Sequence, residues 1–231
     1  MIFEFGNTVV ESEKERNLYT KFFAGYFFNE IVAGSNTRLT NFAGLIKEKA
    51  ISAGIPLKSD FTLSPEFTHV CFDTHAYLLG LTNEYYEEDR REIADILIHD
   101  RHNKVFISIE AKFLENFDVD DDVTLTLNRL RSIKDQMPDT QFIFCLLLSN
   151  IKWNRIQKMN NHPGSQYKKL IDGYSDKVLV LLWEELVNLC TDQRVSQFMN
   201  YQLSLVQLQR KSVRYKIQNG QPLRKTSSPY E

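Results

Sequence analysis

Residues 92–114 read Glu-Ile-Ala-Asp-Ile-Leu-Ile-His-Asp-Arg-His-Asn-Lys-Val-Phe-Ile-Ser-Ile-Glu-Ala-Lys-Phe-Leu. Two short, β-branched apolar runs flank a polar turn, which predicts a β-hairpin with strands over about 92–99 and 104–113. Inside those runs charge intrudes at Asp95, Glu110 and Lys112. A carboxylate within a buried strand costs several kcal/mol unless something compensates it, and a bound cation is one such compensation. Glu110 and Lys112 are two apart, so alternation sets them on one face, and the hairpin brings Asp95 beside them. Two acids and an amine then converge on one spot. A metal site with an attendant lysine is the functional reading, and a buried ion pair holding the hairpin is the structural one.

The flanking sequence predicts what surrounds the hairpin. Apolar residues at three- and four-residue spacing mark amphipathic helices over about 11–32 and 40–53, the second stopped by Gly54 and Pro56. Residues 69–79 contain a further strand. After the hairpin, a loop with Asp118, Asp120, Asp121 and Asp122 leads into a helix near 123–136, whose positive end the acids meet. The unbroken apolar run 141–149 has the length and character of a central strand. Reached by a crossover helix, it runs parallel to its neighbour. A short helix at 166–174, a buried strand at 177–183 and helices at 184–191 and about 193–215 complete the chain, with a disordered basic tail at 220–231. The expected fold is a single α/β domain over 1–219, a mixed central β-sheet flanked by helices.

In that setting Asp95, fourteen intervening residues and Glu110-Ala111-Lys112 resemble the signature of the PD-(D/E)XK nuclease superfamily, with Ala94 where the signature has proline. The resemblance covers roughly residues 90–183. It implies a restriction-endonuclease-like αβββαβ core with N-terminal helices and a C-terminal helical extension, and Mg2+- or Mn2+-dependent cleavage of phosphodiester bonds. Asp95 and Glu110 would hold the metal, the backbone carbonyl of Ala111 would add a ligand, and Lys112, with its pKa depressed beside the cation, would orient or deprotonate the attacking water. Family members often place another metal-site carboxylate on an N-terminal helix. Glu30 occupies such a place here, a helix-end glutamate reaching solvent being its alternative reading. DNA is the favoured substrate, in restriction or defence. A non-catalytic nucleic-acid-binding or assembly module of the same fold, or an RNA endonuclease, is the alternative, and dimerisation is left open.

Charge supports a polyanionic partner. The net charge is −2, yet no acid stands between Asp192 and Glu231, where Arg194, Arg210, Lys211, Arg214, Lys216, Arg224 and Lys225 do. With Arg129, Arg131 and Lys134 on the helix after the hairpin, Arg210, Lys211, Arg214 and Lys216 are the expected phosphate contacts. Solvated helix charge is the bland reading of all of them. Other chemistries lack their patterns. The Asp118–Asp122 run fails as a calcium loop, with Val123 at its sixth position and Arg129 at its twelfth. No HExxH, nucleophile-elbow, Walker or dinucleotide-binding glycine motif is present. Cys71, Cys145 and Cys190 are spaced as reduced core thiols. With no signal-peptide pattern and no apolar run of membrane length, the expected location is the cytoplasm.

Overall fold

A computed structural model describes residues 25, 28–33, 35–75, 92–112, 117–162 and 164–204. After a π-helical turn at Asn29–Ala33, helix α1 spans Asn36–Ala53. It begins four residues earlier than the apolar spacing implied, because Ser35 caps it by accepting the Arg38 N–H, and it ends at Gly54, whose φ of 70° suits glycine. Strands β1 (Thr68–His75), β2 (Glu92–Asp100) and β3 (Val105–Lys112) follow, the second pair being the expected hairpin. A π-helical turn, Val119–Thr124, runs into α2 (Leu125–Gln136), then β4 (Gln141–Leu148). Next come α3 (Asn150–Lys158), α4 (Gln166–Tyr174), β5 (Val178–Leu182) and α5 (Trp183–Leu189), and residues 193–204 are helical.

The five strands form one mixed sheet in the order β1-β2-β3-β4-β5. The β1–β2 and β2–β3 pairs are antiparallel, and β3–β4 and β4–β5 are parallel. Successive right-handed crossovers that step the same way put their helices on one face of a sheet. So α2, α3 and α4 cover one side, where Leu130, Ile133 and Leu170 meet Leu97, Phe106, Phe144, Leu146 and Leu148. The opposite side carries Ile96, Ile98, Ile107, Ile109, Cys145, Leu147, Leu179 and Leu181. It is covered by α1, α5 and the 193–204 helix through Phe42, Ile46, Leu186, Met199 and Leu203. Both faces are therefore dry, which explains why β3, β4 and β5 read as continuous apolar runs.

Two differences from the sequence reading bear on the site. The segment 150–158, for which the sequence predicts no element, is helical. Ser149 caps it by accepting the Lys152 N–H, while its apolar Trp153 and Ile156 are only partly buried and give a weak periodic signal. The acidic run, expected as a loop, is mostly a π-helical turn with Asp118 as its cap. Among the described residues no helix is long and apolar enough to cross a membrane.

The hairpin's far end is fixed by Asp100, fully buried, which accepts the N–H groups of Ser64, His102 and Asn103 and the Asn103 side-chain amide. Burial alone would raise its pKa, but these donors outweigh it and hold the carboxyl below its ordinary value.

Candidate active site

At the other end of the hairpin the sheet changes character. The β2–β3 ladder runs from Asp100↔Val105 to Ile96↔Ile109. One step further the Asp95 carboxylate replaces the partner strand, its Oδ2 accepting the Ala111 N–H at 2.7 Å. In a strand the N–H and C=O of one residue point to the same side, so the Ala111 carbonyl also faces the β2 side, while its methyl is buried in the opposite core.

Alternation places Glu110 and Lys112 on the crossover-helix face of β3, where Asp95 also lies. The Lys112 ammonium is 2.8 Å from Glu110 Oε1 and 3.0 Å from Asp122 Oδ1, and these side chains are each about one-sixth exposed or less. The structure thus brings Asp95, Glu110 and Lys112 together as the spacing implied, and adds Asp122. Burial pushes the Glu110 carboxyl above its usual value, with Lys112 opposing that rise. For Lys112 burial acts downward, but Glu110, Asp122 and Asp95 overcome it and hold the ammonium well above an ordinary lysine. The depressed pKa expected beside a cation concerns the ion-bound site, whereas these shifts belong to Lys112 with carboxylates alone around it. In this arrangement carboxylates surround Lys112, and each favours its charged form.

The other expected residues divide. Arg129, on the first turns of α2, lies close enough for its charge to act on Glu110. Arg131 and Lys134 are exposed farther along the same helix. Glu30 sits 4.0 Å from the Arg38 guanidinium, on a turn whose Val32, like Phe28 just before the turn, belongs to the opposite core. Ser108, two residues before Glu110, is fully buried, and among the described residues its hydroxyl has no hydrogen-bond partner, so it packs rather than opening to a cleft. Arg210, Lys211, Arg214 and Lys216 lie outside the described residues, as does the 220–231 tail.

By sequence, the acids of 118–122 are set against the positive end of the following helix, and Asp122 is given no part in the site. A signal was available: the first turn of a crossover helix returns over the end of the strand it follows, so an acid there faces that strand's last residues.

The donor set suits Mg2+, which prefers hard oxygen ligands and keeps several waters, so the two carboxylates of Asp95 and Glu110 suffice in kind. Among the described residues no three His, Cys, Asp or Glu side chains stand together as a group that could hold a metal ion. Lys112 reaches both Glu110 and Asp122, so a cation there competes with an ammonium. No protein-family model, curated protein or solved structure matches the chain.

Proposed function

We propose that this protein is a metal-dependent nuclease of restriction-endonuclease-like fold, acting on DNA. The observation that carries the reading is the opening of the β2–β3 ladder at Asp95, beside Glu110 and Lys112. Asp95 and Glu110 would hold Mg2+ or Mn2+, with the Ala111 carbonyl facing the same side. A bound divalent ion would supply charge neutralisation on the phosphate and a more acidic water. The chain's own residues do the rest. Lys112 would orient or deprotonate the attacking water and counter charge on the phosphate. Arg129, and the exposed Arg131 and Lys134 beyond it, would carry the phosphate backbone toward the sheet edge.

One observation favours the second reading, a non-catalytic nucleic-acid-binding module of the same fold. Lys112 already satisfies Glu110 and Asp122, and an ion pair of that kind can be structural. Incubation with plasmid, single-stranded DNA and RNA, with Mg2+, Mn2+ or EDTA, separates the readings. Metal-dependent DNA cleavage that Asp95→Ala and Lys112→Ala each reduce by about 10²-fold or more supports the enzyme. Binding without cleavage under every metal supports the module, and cleavage of RNA alone moves the substrate assignment.

A further inference from the structure

Asp122 reaches the site from outside the hairpin and is held there by two layers of hydrogen bonds. Its Oδ1 is 3.0 Å from Lys112 Nζ, while its Oδ2 accepts the Asp118 N–H at 2.8 Å. Asp118 is fixed in turn: its Oδ1 accepts the Asp120 N–H and its Oδ2 accepts from Gln166 Nε2 at 2.9 Å. Gln166, on α4, also takes the Val119 N–H on its Oε1 at 2.7 Å, and the Thr124 and Tyr174 hydroxyls meet at 2.7 Å. The turn presenting Asp122 is therefore stapled to a neighbouring helix at both of its ends. It is also π-helical, a rare geometry that recurs at functional sites.

The ammonium is shared between two acids of different standing. Glu110 belongs to the pair that would receive a cation, and a carboxylate turned to a divalent ion gives up much of its hold on a lysine. Asp122 is fixed by its own partners and needs no such change. Lys112 hangs on a flexible four-carbon stem, so without a second anchor its ammonium is free to leave once Glu110 turns away. We propose that Asp122 is the positioning residue for Lys112, keeping its ammonium at the sheet edge when Glu110 gives its charge to a metal ion. This inference rests on the nuclease reading.

The test follows the Lys112 ammonium in full-length protein by 15N–1H correlation, where a lysine is seen when its hydrogens are pinned and sheltered from exchange. Lys112→Arg assigns the resonance, and wild type, Asp122→Asn and Asp122→Ala are compared in EDTA and in Mg2+. Asp122→Asn retains the shape and an acceptor for the Asp118 N–H, which guards against a variant that fails to fold. The expected result is a resonance that persists in wild type under both conditions. In both variants it is present in EDTA, where Glu110 still holds the ammonium, and lost in Mg2+. A resonance that survives Mg2+ in the variants, or vanishes in Mg2+ in wild type, overturns the positioning role alone. If Mg2+ changes nothing in the wild-type spectrum, the metal-dependent reading fails and this role falls with it. In cleavage assays Asp122→Ala should lower kcat by about 10²-fold with KM within about twofold, and Asp122→Glu should restore part of the loss. An unchanged kcat in folded Asp122→Ala overturns the proposal.

Discussion

Replacing Lys112 by methionine separates a structural ion cluster from a metal site without any assay of cleavage. Methionine keeps the length of the apolar stem and removes the charge that Glu110 and Asp122 share at 2.8 and 3.0 Å. Removing one partner of a buried ion pair costs about 3–5 kcal/mol, and the slight exposure of these side chains points to the lower end, about 3 kcal/mol. In a chain of this length each kcal/mol moves Tm by about 2–4 °C, so the variant should melt about 6–12 °C below wild type in EDTA.

A divalent ion should then do what the ammonium did. With a Kd of about 0.1 mM, 10 mM Mg2+ adds about 2.7 kcal/mol, or about 5–11 °C. Wild type, where the ion must compete with Lys112 and a Kd of about 10 mM is reasonable, should gain only about 0.4 kcal/mol. The pH dependence has a definite sign. The folded state holds the Glu110 proton at pH values where the unfolded chain, titrating near 4.5, has released it. Stability from this group is thus greatest below 4.5 and falls as pH rises through the folded-state value. Lys112→Met should steepen that fall, and Mg2+ should flatten it. Differential scanning fluorimetry over pH 4–8, with NaCl matched for ionic strength, measures both. Equal Mg2+ shifts in wild type and variant, or shifts that NaCl reproduces, refute the reasoning.

Two further predictions concern the frame around the site. Asp100→Ala leaves four donors at the hairpin turn without their acceptor and should cost about 3 kcal/mol by urea denaturation. Because the Asp100 carboxyl titrates below its ordinary 3.8, wild-type stability from it is full above that value and is lost as pH falls through the folded-state value. The variant should therefore show a shallower acid limb. Gln166→Ala removes the acceptor of the N–H of Val119, a nearly fully buried residue, and should cost about 1–3 kcal/mol. It should also loosen the turn that carries Asp122, read as faster hydrogen exchange over 118–124. Exchange unchanged there would show that the turn does not depend on α4.

The hairpin was legible because period-two alternation and β-branched runs act locally, and the same alternation placed Glu110 and Lys112 on one face. The parallel pairing of β3 with β4 was legible from the length of the connection alone. What escaped was set by tertiary packing. No local pattern says that residues 119–124 wind as a π-helical turn, since that geometry answers to Gln166 on a helix more than forty residues away. Asp122 escaped with it, as did the rise in the Lys112 pKa, which depends on how many carboxylates the fold gathers round one ammonium. Helix α3 escaped because its apolar residues touch the core without being buried in it.

The charges at the sheet edge are a cost that the fold has no structural need to bear. Well-packed apolar residues in place of a buried ion cluster are often neutral or stabilising by about 1–4 kcal/mol. Here both faces of β3 are dry up to Ile109, so an apolar pair at 110 and 112 would extend the core already built by Leu146 and Leu148, their register partners on β4. Ladder closure would likewise need no side chain where Asp95 now takes the Ala111 N–H. A strand that opens its pairing and gathers three acids around one amine at the same step gives up stability twice at one place. A structural pair accounts for one of those losses. A site where carboxylates must be presented to something arriving from outside accounts for both, and this is why the opening of the ladder at Asp95 weighs more than the ion pair beside it.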